Sequence, residues 1–336
     1  MMNRLFSLAL CVAVSMGFCF SANTACAAPK RIKVAHTSYP GTPVYRAWED
    51  AKAFIDEKSG GKYVLDINDS SKLGPTSTTL QGVQFGTIHI TEDGSPNFSG
   101  FDPVIGIFDL PYLFPDYESV DAILNGAIGQ KILDHLSKKS GTKAICFLGN
   151  GYRGLFTNEK LEHIEQAKGK KFRATLSQAH IAGLRALGFA PTPMAWTETI
   201  TGVQQRVITG FDIDLVSAMT MGLAEISPYV FLSQHMYSPH LAVASIDWWE
   251  SMSDEDRALF QQMFDLLSSK STEYARNADR EAIENLKAKG HILTPILPEE
   301  RASWIKDSAE VYKAVPQIPA ELVEEIRAEL KKLGKI

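Results

Sequence analysis

Twice in this chain a run that alternates apolar and polar residues gives way to a run with helical spacing, and that order leaves few folds open. From residue 31, "RIKVAHT" alternates as a strand and turns at Pro40-Gly41. "PVYRAWEDAKAFIDEKSGG" then carries Val44, Trp48, Ala51 and Ile55 on one helical face and stops at Gly60-Gly61. "KYVLDIND", "LGPTSTTLQGVQFG" and "TIHITEDG" continue as strand, short helix and strand. A βαβαβ order predicts an α/β domain with a largely parallel sheet. Ligands of such sheets gather at the carboxyl ends of strands, where the loops "HTSYPGTP" and "EDGSPNF" fall. The rhythm restarts after residue 150 with "GLFTN", "KKFRAT", a helix from about Gln178 to Leu187, and "ETITGVQQRVITGFDID". Two α/β lobes are the simplest account.

After them comes "SDEDRALFQQMFDLLSSKSTEYARNADREAIENLKAKG", opened by Ser253 as N-cap and closed by Gly290. A helix over that stretch has about 37 residues and runs about 55 Å, longer than one lobe needs, so it is expected to lie along both. Shorter helices are expected over about 298 to 313 and 319 to 333. The expected division is a leader over 1–27, a first lobe over 28–150 with about 239–278, and a second lobe over 151–238 with about 279–336.

The first 27 residues carry Arg4, the apolar run "LFSLALCVAVSMGFCF" and Ala25-Cys26-Ala27, the pattern of a secretory signal cleaved after Ala27. The apolar run is shorter than the roughly 20 residues of a spanning helix. No leucine stands three residues before Cys26, which argues against a lipid anchor there. Three of the four cysteines fall in this leader, leaving Cys146 alone and no intramolecular disulfide to form. Removing Arg4 with the leader takes the net charge from −5 to −6, with no basic stripe, so nucleic acid is not the expected partner.

Catalytic signatures are missing from the sequence: no G-x-S-x-G, P-loop, H-E-x-x-H or C-x-x-C stands in it. "DINDSSKLGPTS" begins like a calcium loop, but Ser71 occupies the glycine position and Ser77 the glutamate position, so a strand-to-helix turn is expected instead. His235 and His240 flank Pro239 five apart, a spacing that favours loop or pocket histidines over a metal pair. No cofactor or metal is expected. Arg153 and Arg173 are harder to place, because each stands where a strand begins or ends. A guanidinium is always charged and costs several kcal/mol to bury alone, so an internal acid or a ligand acid must answer it. Trp196, in "PTPMAWTE", fits a core or a lobe edge.

The order of these segments resembles the substrate-binding proteins of tripartite ATP-independent periplasmic (TRAP) transporters, the dicarboxylate-binding-protein superfamily. The resemblance runs from "IKVAHTSYPGTPVYRAW" through "IDEKSGGKYVLDINDSSKLG", "GVQFGTIHI", "FDLPYLFPDYESVDAIL" and "YRGLFTN" to "GKKFRAT" and "LGFAPTPMAWTETITGVQQ". It implies an α/β two-lobed periplasmic binding protein, or Venus-flytrap, fold with a long helix spanning both lobes. It further implies a monomer in the periplasm that has no chemistry of its own and delivers an organic acid to the small and large membrane subunits of a permease. In that family the arginine of the "GKKFRAT" segment holds the ligand carboxylate, which makes Arg173 the expected anchor and Arg153 its support. The matching motifs add Thr37, Thr76, Asp93, Gly94, Asn97, Trp196, Ile213 and His240 to the expected cleft, with Phe211 nearby.

Two departures bear on the ligand. The family commonly has an asparagine where Ile213 stands, and Gly94 replaces an acid that sugar-acid binders can carry. A sugar acid needs a partner for nearly every hydroxyl, since an unbonded buried polar group costs about 1 to 3 kcal/mol. Ile213, Trp196 and Phe211 therefore predict a carboxylate with an apolar or aromatic body: an aryl acid, an aromatic 2-oxo acid or an aromatic amino acid. The alternatives are a C4-dicarboxylate or sugar acid in the same role, a periplasmic enzyme using Asp93 or His240 as acid or base, and a ligand-sensing protein.

Overall fold

A computed structural model describes residues 28–336, so the expected leader and Cys26 lie outside the described residues. Eleven strands form two sheets: β1 (Lys30–His36), β2 (Tyr63–Asn68), β3 (Ile90–Gly94), β4 (Lys143–Leu148), β5 (Arg153–Thr157), β6 (Lys171–Ala174), β7 (Ala190–Pro193), β8 (Gly210–Asp214), β9 (Tyr229–Leu232), β10 (His240–Ala244) and β11 (Ile292–Pro295). The first sheet has the order β2-β1-β3-β10-β4 and the second β11-β9-β5-β8-β6-β7. The expected parallel character holds with one exception in each sheet. β10 runs against β3 and β4, and β5 runs against β8 and β9.

Both exceptions have one cause. β4 leads through residues 149–152 directly into β5, and β9 leads through 233–239 into β10, so each lobe receives one strand from the other. A strand entering from the opposite lobe starts at the cleft and must run away from it, against strands that end there. The two connections touch through a bridge between Tyr152 and Tyr237. Gly149 is dictated at this crossing, because a Cβ on it would lie 2.3 Å from the Thr272 backbone of the long helix, too close for any side chain.

That helix spans Asp254–Ala288. Its start is fixed as expected: the Ser253 hydroxyl accepts from the Asp256 N–H at 3.2 Å, and Asp254, Glu255 and Asp256 complement the positive end of the helix. Gly290, at φ 85°, takes the left-handed turn that ends it. The N-terminal half buries Phe260, Met263, Phe264 and Leu267 with Trp48 and Ile55 beside the first sheet. Ala282 and Leu286, five turns further on, join Phe211 and Val216 beside the second. At about 1.5 to 3 kcal/mol per fully buried large side chain, each half is anchored in a different core.

The assignment of everything after about residue 279 to the second lobe needs correction. β11 does pair with β9, but the C-terminal helix Ala320–Lys332 buries Val323, Ile326 and Leu330 against Phe108, Ile132 and Leu136, on the helices that flank the first sheet. A sequence-contiguous division misses this return, because amphipathic spacing fixes the apolar face of a helix and not the surface it meets. The helix expected over 298–313 ends at Ser308 and is followed by a single tight turn over Val311–Ala314. "DSSKLG" forms the expected turn, with Ser70 and Ser71 at positive φ, and no metal-ligand group of three occurs among the described residues.

Candidate functional site

Between the lobes lies a cleft of about 730 Å³, partly open to solvent, lined by both sheets. The topology determines which residues reach it. Strands that end at the cleft contribute their last residues, Asp93 and Gly94 from β3, Arg173 from β6, and Ile213 and Asp214 from β8. Strands that begin there contribute their first, Arg153 from β5 and His240 from β10. Thr37, Asn97 and Trp196 complete the expected lining.

Two expected residues stand elsewhere. Phe211 is fully buried in the second lobe's core, stacked on Phe156 with centroids 5.5 Å apart. It shares the sheet face of Ile213, but lies two residues deeper along the strand, beyond reach of the cleft. Thr76 sits one layer behind the wall, where its hydroxyl donates to Asp93. Sequence reasoning missed Asn150, Tyr39, Thr175, Ser217, Met221 and Asp214, which also line the cleft. Tyr39 lies in a loop already marked for ligands, and Asp214 has a legible role as N-cap to the helix Leu215–Thr220, accepting from the Ser217 N–H at 2.8 Å. Asn150 carried no signal, since its position depends on the crossing between lobes.

The two arginines have different surroundings. Arg153 is committed internally: Nη1 donates to the Asp212 carboxylate at 3.2 Å and its carbonyl at 2.9 Å, and Nε donates to the Ser238 hydroxyl at 2.9 Å. Asp212 stands diagonally across the β5–β8 pair on the same face, within reach of a long side chain. Arg173, buried at 3 % exposure, has no such partner among the described residues. Its Nε is unbonded, and Nη2 reaches only the Met194 carbonyl at 3.4 Å. The guanidinium lies over the Trp196 ring, 5.3 Å from the centroid. Burial, and then the neighbouring Arg153, press its pKa down to about 10 against the pull of Asp212, Asp109 and Asp93. It remains charged near neutrality, and the charge of a carboxylate entering the cleft would offset both effects.

The facing wall is acidic. Glu92 is fully buried, with His240 Nδ1 bonded to it, the Ser38 hydroxyl at 3.2 Å and His36 Nδ1 at 4.0 Å. Burial raises the Glu92 carboxyl, but His240 and His36 outweigh that and hold it below its ordinary value. Burial likewise lowers His240, yet Glu92 beside Nδ1 overrides it, and the imidazole is raised. Asp93 accepts from the Thr37 hydroxyl at 2.7 Å, the Gly94 N–H at 2.6 Å and the Thr76 hydroxyl. Burial still pushes its carboxyl up to about 6, against the pull of His240. Gly94 is negative in φ, so strain does not require glycine there. A Cβ would stand 3.6 Å from His240 Nε2, and its absence keeps the imidazole open to the cleft.

Two lobes joined by crossing strands and a shared long helix, with a cleft between them that sets charged groups beside apolar surface, define a ligand-capturing binding protein. Residues 34–317 match the model of bacterial extracellular solute-binding protein family 7, and the chain belongs to that family. The 2,3-diketo-L-gulonate-binding periplasmic protein YiaO of Escherichia coli is 29 % identical over 290 residues, 80 % of this chain and 87 % of that protein. A TRAP periplasmic solute-binding protein from Desulfovibrio salexigens, solved with orotic acid, superposes with a TM-score of 0.84 at 25 % identity, covering 90 % of this chain and 99 % of that one. The sugar acid binding protein of Advenella mimigardefordensis, solved with galactonate, has the same fold, with a TM-score of 0.87 at 24 % identity and coverage of 90 % and 98 %. The family is one of solute-binding proteins, and this one is no enzyme, which removes acid–base chemistry by Asp93 or His240.

Proposed function

We propose that this protein captures a carboxylic acid outside the cytoplasm through Arg173 and hands it to a TRAP-type permease of small and large membrane subunits. The observation that carries this reading is the guanidinium at the cleft wall that is buried and left without an acid of its own. A carboxylate accepting both terminal nitrogens gains two charge-assisted hydrogen bonds, each about 1.5 to 3 kcal/mol net. Arg153, held by Asp212, adds positive potential and the remaining donor capacity of its fork. Contacts to both walls at once draw the lobes together, so closure is a consequence of binding. The leader over 1–27, with a cleavage pattern after Ala27, and the family's extracellular role both support a periplasmic location.

For the ligand body, Trp196, Ile213, Met221, Val44 and Pro96 offer apolar surface beside the anchor, which favours an aromatic or branched acid over a polyol. Orotic acid, bound by the Desulfovibrio salexigens protein, is a flat ring carboxylate of this kind. The 2,3-diketo-L-gulonate of the Escherichia coli relative favours a second reading, in which Tyr39, Asn97 and Asn150 serve a sugar acid's hydroxyls. Thermal shift on protein unfolded and refolded free of ligand separates the two. Stabilisation by aromatic or branched acids is expected; stabilisation by sugar acids alone moves the assignment to the second reading. If no carboxylate stabilises the protein, the Arg173 anchor is wrong.

A further inference from the structure

Beyond the carboxylate anchor, the charges of the cleft do not balance around a plain organic anion. Its walls carry three cations, Arg153, Arg173 and His240, and two carboxylates, Asp93 and Asp214. Glu92 and Asp212 stand directly behind, bonded to His240 and Arg153. Further imidazoles do not make up the difference. His180 accepts at Nδ1 from the Thr175 N–H at 3.1 Å and so is neutral, donating from Nε2 to Asp212 at 3.1 Å. Burial keeps His36 and His235 below their ordinary values, hence uncharged near neutrality. Carboxylates thus already outnumber cations in the empty cleft. An added mono-anion deepens the excess, and a dicarboxylate deepens it further.

Asp93 is the acid that this arrangement leaves without a bonded counter-charge, His240 acting on it only across space. Its hydrogen-bond partners are all neutral, two hydroxyls, one backbone N–H and the Asn97 side chain, and among the described residues no lysine or arginine reaches it. Those bonds fix both oxygens in place, on the wall opposite Arg173, where an ammonium can replace the neutral donors that face the cleft. The cation without a bonded acid belongs to the second lobe and the anion without a bonded cation to the first, with the ligand space between them. Asp214, by contrast, caps a helix and accepts from Asn150 Nδ2 at 3.3 Å.

We infer that the ligand is an amino acid, its carboxylate on Arg173 and its ammonium on Asp93, so that a zwitterion fills the cleft and brings no net charge. This rests on the carboxylate reading above and narrows it, since the apolar surface at Trp196 and Ile213 then takes the side chain. It also gives each lobe its own charged contact with the ligand, the condition for a closed state that only the complete ligand stabilises.

The test compares molecules that differ only at the amino position. Calorimetric titration of the refolded protein would use phenylalanine, phenylpyruvate and 3-phenylpropionate, and leucine with 4-methyl-2-oxopentanoate, after a thermal-shift screen of the common amino acids in both configurations. The expected result is that an amino acid binds at least tenfold tighter than its 2-oxo and amino-free counterparts. Asp93→Asn should collapse that ratio by about 10- to 100-fold, the size of a lost charge-assisted hydrogen bond. Oxo acids or amino-free acids binding as tightly as the amino acid, with a ratio indifferent to Asp93→Asn, would overturn the ammonium site and leave the Arg173 anchor standing. Silence towards every carboxylate would instead overturn the anchor and this inference together. Because the ligand series is read on the unaltered protein, the inference stays testable even if the variant fails to fold.

Discussion

Glu92 in the first lobe and Asp212 in the second occupy corresponding places, each fully buried near the cleft end of a strand and flanked by two imidazoles. The difference is one arginine. In the second lobe Arg153 completes the cluster, Asp212 is held well below the carboxylate range, and the charge left over is the cation Arg173. In the first lobe His240 takes the arginine's place beside Glu92, and the charge left over is the anion Asp93. Beside the cleft each lobe therefore pairs one of its buried acids internally and presents one charge, of opposite sign in the two lobes, that no oppositely charged side chain bonds. Buried charges left unpaired destabilise a fold, so a protein that keeps two of opposite sign facing one space holds them for what enters it.

The largest effect is expected on removing the arginine that is committed internally. Arg153→Met leaves Asp212 buried with neutral imidazoles alone and should cost about 3 to 5 kcal/mol in denaturant unfolding of the ligand-free protein. An unchanged midpoint and slope would show that Arg153 was never tied to Asp212. Arg173→Met should do the reverse. Ligand-free stability holds or rises, because an unpaired charge has been replaced by an apolar chain, while carboxylate affinity falls by about 3 kcal/mol, or more than a hundredfold. Titration calorimetry and melting on the same variant read both halves, and a variant that melts early yet binds normally would exchange the roles assigned to the two arginines.

A smaller effect should appear with pH at Asp93. Its carboxyl is raised from the ordinary 3.8 to about 6, so between those values the folded ligand-free protein holds a proton that the unfolded chain releases. Stability attributable to this group is present below about pH 4 and is lost as pH rises through about 6. Asp93→Asn has no such slope. The variant should match the parent near pH 4 and exceed it by about 1 to 3 kcal/mol at pH 7. A parallel pair of stability curves across that range would remove Asp93 as the bare charge of the first lobe. Smallest of all, Trp196→Ala should weaken binding by about 0.5 to 2 kcal/mol, since the ring stacks on the Arg173 guanidinium and covers the ligand's apolar part. An affinity within twofold of the parent would confine Trp196 to the rim.

Much of the cleft was legible because strand ends are legible. The alternation in "ITEDG" and "KKFRAT" places Asp93 and Arg173 at the carboxyl ends of parallel strands, where ligands of such sheets bind. Phe211 misled because a period of two gives the face of a strand without giving depth along it, and Thr76 because neighbouring motifs do not separate a wall residue from the one bonded behind it. The C-terminal helix misled for a related reason. Its apolar stripe was plain, but the surface that receives it, around Phe108 and Ile132, is assembled from segments more than 180 residues earlier.

The sequence by itself determined the two α/β lobes, the capped long helix, the turn at "DSSKLG" and the two arginines as residues in need of an acid. Each depends on local spacing or on the fixed charge and geometry of one side chain, which neighbours along the chain settle. Only the tertiary structure decided which arginine keeps an internal partner, that β5 and β10 run against their sheets, and that Asp93 stands across the cleft from Arg173 with no cation bonded to it. Those outcomes depend on distances between residues dozens of positions apart, set where two strand connections cross between the lobes.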